Sequence, residues 1–231
     1  MSSGQYLNQF LFGIYPYVAL AVFFLGSLIR FDREQYTWRS ESSQMLKTGQ
    51  LRWGSNLFHI GILGIFFGHL VGLLTPLPVW HALGIGAPAK QMLAIVAGGV
   101  FGLLCLAGLA LLINRRITEP RIRSTTKTMD WVILFLLLGQ LVLGLVSINE
   151  SWQHRDGGEM LRFMEWAQRI VTFRGGAADL VAEAALVFKL HLVLGMTIFL
   201  VFPFSRLVHI WSGFAAVTYL FRPHQVVRTR G

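Results

Sequence analysis

The chain has 231 residues, of which 54% are hydrophobic and only 13% charged, with a net charge of +9. A soluble domain carries about 25% charged residues, so this share leaves too little polar surface to clothe a water-soluble enzyme. The high apolar content excludes intrinsic disorder. The positive charge does not read as a nucleic-acid footprint, because no basic stripe with interleaved aromatic residues lies on a soluble module.

The apolar residues cluster in five runs, each close to the ~20 residues a helix needs to cross ~30 Å of hydrocarbon. Helices are the expected form, because lipid offers no partner to bare backbone groups. The sequence therefore predicts an all-α integral membrane protein, with residues 1–231 forming one five-helix bundle.

The first span covers about 7–29 and contains Pro16. It lacks a basic n-region and a small-residue cleavage site, so it is expected to be retained. Arg30, Arg33, Arg39, Lys47 and Arg52 follow it. The second span, about 54–74, carries His59 and His69. Its glycines Gly61, Gly64, Gly68 and Gly72 share an arc that reads as a close helix-packing face.

Lys90 stands at the start of the third span, about 91–113, which holds the only cysteine, Cys105. A disulfide within the chain is thereby excluded, and no C-x-x-C-H signals covalent haem. After Arg115, Arg116, Arg121, Arg123 and Lys127 comes the fourth span, about 129–148. In the long loop that follows, residues 160–173 read as an amphipathic helix lying on the outer membrane surface. The fifth span, about 185–211, carries His191 and His209. Pro16 and Pro203 are expected to kink their helices. Arg115 reads as anchoring at the inner end of the third span.

Orientation follows from Lys and Arg. The loops on alternate sides carry 14 and five of them, and the richer side is cytoplasmic, which places the N-terminus outside.

Histidine inside a membrane helix is costly and marks function by default. With the second and fifth spans antiparallel, His59 faces His209 toward the inside and His69 faces His191 toward the outside. Such pairs at two depths suit two stacked haems, each clamped between imidazoles. Eighteen residues at 100° per residue place His191 and His209 on one helix face. The spacings predict unequal depths, about 15 Å on the second helix and about 27 Å on the fifth, which tilt and the Pro203 kink must absorb. The alternative is that the histidines are interface residues hydrogen-bonded to neighbours. A di-metal centre is disfavoured, since such ligands converge on one point, often with carboxylates. His81, His154 and His224 read as surface residues.

Several segments resemble one known family. Asn56-Leu-Phe-His-Ile-Gly-Ile-Leu-Gly-Ile-Phe-Phe-Gly-His69 resembles the second helix of the gamma subunit of respiratory nitrate reductases. Lys189-Leu-His-Leu-Val-Leu-Gly-Met-Thr and Phe202-Pro-Phe-Ser-Arg-Leu-Val-His209 resemble its fifth. Tyr36-Thr-Trp-Arg, Ser42-Ser-Gln-Met and Pro120-Arg-Ile-Arg resemble its inner loops.

The resemblance implies a membrane cytochrome b with two b haems (haem iron as the metal). His69 and His191 would hold the distal haem, and His59 and His209 the proximal one. It implies quinol oxidation near Lys90 and Gly68 at the outer face. Electrons would pass to an iron–sulfur subunit and then to a molybdenum catalytic subunit that reduces nitrate, both on the cytoplasmic side of a bacterial inner membrane. Arg206, near the proximal ligand, is a candidate for pairing with a haem propionate. Two other readings stay open at this point. One is the di-haem anchor of a formate dehydrogenase or hydrogenase, and the other is a proton-coupled transporter, whose signature of inverted repeats is absent from the sequence.

Overall fold

The computed structural model describes residues 2–34, 37–38 and 48–212. The motif at Ser42, His224 and the basic residues of the C-terminal tail lie outside the described residues. Among the described residues, five helices are long and apolar enough to cross a membrane. They are α1 (Ser3–Arg33), α2 (Thr48–Leu74), α3 (Ala87–Thr118), α4 (Thr128–Gln153) and α5 (Leu186–Val201). The first four run past the apolar windows of the sequence at one or both ends, because polar residues continue a helix once its centre is fixed. Short helical turns at Leu77–Ala82, Pro120–Thr125 and Ala178–Val181, not expected from the sequence, join them.

Packing runs from α2 to α3, α3 to α4, α4 to α5, and α5 to α1. Glycines set the tightest of these contacts. A Cβ on Gly61 would fall on the backbone of Cys105, one on Gly64 would enter the Phe101 ring, and one on Gly108 would strike the backbone of Phe58. Gly68 and Gly72 behave otherwise, since a Cβ on either would meet nothing within 4 Å. The arc of four glycines thus splits: the first two pack on α3, and the last two leave a smooth face.

Pro16 is accommodated by a wide π turn over Phe10–Ile14, so it is not a bare kink. Having no N–H, it cannot bond the carbonyl of Phe12. The indole N–H of Trp166 donates to that carbonyl instead, at 2.9 Å. Trp166 belongs to the amphipathic helix Gly158–Val171. This helix buries Trp166, Ala167 and Ile170 against Phe12, Ala178 and Val181, and Met164 is buried as well. It is therefore folded onto the end of the bundle, where the sequence suggested a helix resting on lipid. Its apolar face finds protein within reach, held by the Trp166 bond and by Gln168 donating to the Leu73 carbonyl at 3.1 Å. Outside the bundle, Glu165 receives Arg169 at 2.8 Å, which holds its carboxyl below the usual range, with Arg174 beside it.

The fifth span departs most from expectation. Its α-helix ends at Val201, and the chain continues as 3-10 turns over Phe202–Phe204 and Arg206–Val208. Between them Ser205 is extended, with φ −117 and ψ 177. Pro203 again denies its N–H to the helix. Arg115, in the last turn of α3, is only 3% exposed and so packs against protein at that end of the span.

Candidate functional site

Although α2 and α5 are not directly packed along their backbones, two histidine pairs span the distance between them. The rings of His59 and His209 have centroids 6.4 Å apart, and those of His69 and His191 are 6.1 Å apart. The depth expected of an unbroken helix does not apply between His191 and His209, because α5 ends at Val201 and two 3-10 turns with an extended Ser205 lead on to His209.

Each pair has the separation that two imidazoles need to share one metal. With about 2 Å from metal to nitrogen on either side, and about 1 Å more from nitrogen to ring centre, the centroids should lie about 6 Å apart. Three of the four rings are also oriented as ligands usually are. His59 Nδ1 lies 2.7 Å from the Ser55 carbonyl, His69 Nδ1 2.9 Å from that of Ile65, and His209 Nδ1 2.6 Å from that of Arg206. An Nδ1–H spent on a carbonyl leaves the Nε2 lone pair for a metal.

His191 is held differently. Gln140 on α4 places its amide nitrogen 3.3 Å from His191 Nε2. His191 Nδ1 and Gln140 Oε1 are buried without a partner. Buried polar atoms without partners are costly and call for an explanation. As Gln140 donates to it, Nε2 of His191 is occupied, and this ring would hold a metal through Nε2 only by giving up that contact. The spacing of both pairs and the orientation of the other three rings fit two bis-imidazole haems, with His191 fitting once its Nε2 is released by Gln140. Among the described residues, no three of His, Cys, Asp and Glu converge as a conventional metal cluster. Gln140 escaped the sequence reading, although a lone amide in the middle of an apolar helix was the available signal.

Lys90 lies in the N-terminal turn of α3 and is only 4% exposed. Its Nζ donates to the Gly72 carbonyl at 2.7 Å, one turn beyond His69 on α2. It also lies 2.9 Å from the Met164 sulfur and 3.7 Å from that of Met160. Trp80 offers its ring face at 5.1 Å. The lysine is thus drawn into the protein and does not snorkel to water. Gly68, beside His69, stands on the open part of α2. Lys189 turns away to the Ala182 carbonyl.

At the other end, Arg206 Nε lies 3.1 Å from Asp130 Oδ1. Asp130 was not singled out from the sequence. His81 and His154 are exposed, as read from the sequence, and His154 sits 3.8 Å from Glu159.

Comparison with known proteins follows the same lines. The model of the nitrate reductase gamma subunit family matches residues 8–230. The chain is 56% identical to the respiratory nitrate reductase 2 gamma chain of Escherichia coli, over 98% of this chain and 99% of that one. It is 54% identical to the respiratory nitrate reductase 1 gamma chain of the same organism, with the same coverage. It is 36% identical to the nitrate reductase gamma chain of Bacillus subtilis, over 96% of this chain and 99% of that one. A multi-pass helical membrane protein with these relatives, matched from end to end, belongs to the nitrate reductase gamma subunit family.

Proposed function

We propose that this subunit oxidises quinol at the outer face of a bacterial inner membrane and delivers the electrons to an iron–sulfur subunit on the cytoplasmic side. That subunit would in turn feed a molybdenum subunit that reduces nitrate. The observation that carries the reading is the pair of imidazole couples, 6.1 and 6.4 Å between ring centres, at two levels between α2 and α5.

His69 and His191 would hold the distal b haem, and His59 and His209 the proximal one. When bound, the two haems supply one-electron carriers spaced across the membrane. With one imidazole offered from each side, by His59 with His209 and by His69 with His191, the sites would favour electron transfer over oxygen chemistry.

Lys90 would serve the quinol. Thioether sulfur is a weak acceptor, so a quinol oxygen can take the place of Met164 and Met160 on the ammonium. The Gly72 carbonyl keeps the side chain aimed throughout. A charge-assisted bond from Lys90 stabilises negative charge on that oxygen as its proton leaves for the outer aqueous phase. Gly68 leaves a flat approach for a ring beside His69. Arg206, ion-paired with Asp130, would also place its charge near a propionate of the proximal haem. The distribution of 14 basic residues against five supports an outer N-terminus and a cytoplasmic C-terminus.

The test is a pyridine haemochrome count on the purified chain. Two b haems per chain are expected. A colourless polypeptide, after expression with ample haem, would overturn the proposal and favour a histidine-based proton carrier.

A further inference from the structure

His209 opens a new helical stretch at residues 209–212, cut off from the α-helix that ends at Val201. It follows two 3-10 turns and an extended serine, a segment with few hydrogen bonds of its own. Something outside the segment must fix it, because an iron ligand that wanders by an ångström loses its metal.

The first helix supplies that support. Arg30 Nη1 donates to the Pro203 carbonyl at 2.6 Å and to the Ser205 carbonyl at 2.9 Å. The other side of the guanidinium is itself anchored, with Nη2 donating to the Thr37 carbonyl at 3.1 Å and Nε to the Thr37 hydroxyl at 3.3 Å. One turn earlier on the same face of α1 stands Gly26. A Cβ there would lie 2.9 Å from Cγ of Pro203, so only glycine lets the proline ring seat against α1. Gly26 and Arg30, four residues apart, thus form one device: a notch for the proline and a fork for the carbonyls beside it. Within the segment, Ser205 Oγ donates to the Phe202 carbonyl at 2.9 Å and accepts from the Leu207 amide at 3.1 Å. On the far side Asp130 holds Arg206, whose carbonyl orients the His209 ring.

We propose that Arg30 is a positioning residue for the proximal haem. It fixes the break in the fifth span so that His209 meets His59 at the distance iron requires. The inference rests on the di-haem reading above. Arginine is suited to the task because its planar fork reaches two acceptors at once, which a lysine ammonium does with less geometric control.

The test uses the assembled membrane complex, with optical redox titration and electron paramagnetic resonance of both haems. In Arg30→Gln the proximal haem is expected to be lost, or to shift in potential and g-values, while the distal haem keeps its own. Arg30→Lys should restore part of the proximal signal. Gly26→Ala, which touches no hydrogen bond, should shift the same haem by displacing Pro203, and it serves if Arg30→Gln fails to accumulate. A proximal haem unchanged in Arg30→Gln overturns the inference, and so do equal shifts of both haems, which mark a general loosening of the bundle. A wild-type complex without haem in this subunit overturns the di-haem reading itself, whereas two haems indifferent to Arg30→Gln overturn this inference alone.

Discussion

Gln140 places its side-chain amide 3.3 Å from the imidazole of His191, making α4 the third helix to touch the His69–His191 pair. Gly195, one turn along α5, leaves room for it, since a Cβ there would lie 3.1 Å from the Gln140 amide nitrogen. The two pairs are therefore not equivalent. His191 borrows its orientation from a neighbouring helix, while the other three rings are oriented by carbonyls of their own.

The first prediction concerns that ring. His191→Ala should remove the distal haem and quinol oxidation together and leave the proximal haem in place. Haem per chain should fall from two to one, with turnover near background in a quinol-dependent nitrate assay. A variant that keeps both haems would show that His191 is not a ligand.

Lys90 separates binding of quinol from binding of haem. Lys90→Ala should leave both haem spectra intact and depress quinol oxidation by one to two orders of magnitude, as expected for losing a charged hydrogen bond of about 1.5–3 kcal/mol. Electron transfer from an artificial donor that acts beyond the quinol site should persist. Full quinol turnover in Lys90→Ala would remove this residue from the site.

The ion pair of Asp130 and Arg206 is largely buried, with side-chain exposures of 8% and 21%. Removing one partner of a buried pair costs about 3–5 kcal/mol, and Asp130→Ala should lie toward the lower end because Arg206 keeps some contact with solvent. The expected outcome is a lower thermal inactivation midpoint of the complex, with loss of the proximal haem preceding loss of the distal one on heating. Asp130→Asn, which retains an acceptor, should be milder.

Gly61→Val tests the closest helix contact. The new side chain would run into the backbone of Cys105, and backbone cannot yield as a flexible side chain can. Overpacking of this kind costs about 1–3 kcal/mol or more. Gly98→Ala is the comparison, since a Cβ there meets nothing within 4 Å, and it should be neutral or slightly stabilising. Thermal stability of the two purified variants in detergent should differ clearly, and equal stability would show that the α2–α3 contact is looser than it looks.

Much of this was legible in the chain. Hydropathy gave the five spans, and antiparallel topology alone pointed His59 toward His209 and His69 toward His191. The phase argument for the fifth helix assumed an unbroken helix, and the structure reaches the same neighbours by another route. A proline in an apolar run announces a disturbance, but whether the outcome is a π turn, as at Pro16, or two 3-10 turns, as at Pro203, depends on which distant groups arrive to satisfy the backbone. Trp166 and Arg30 are those groups, far from the prolines in sequence, and no local pattern names them. The glycines of α2 showed the same limit: one spacing served two purposes, and only the presence of α3 beside Gly61 and Gly64 told them apart.

The wide turn at Phe10–Ile14 contains one residue more than an α turn would. That surplus rotates everything upstream by about 100° about the axis. Asn8 and Gln9, just before the turn, donate to the Ala178 carbonyl at 2.8 Å and the Asp179 carboxylate at 3.0 Å. Deleting a single residue from the stretch would leave its oiliness untouched, yet would rotate both amides off those partners and part the first turn of the chain from the segment it grips.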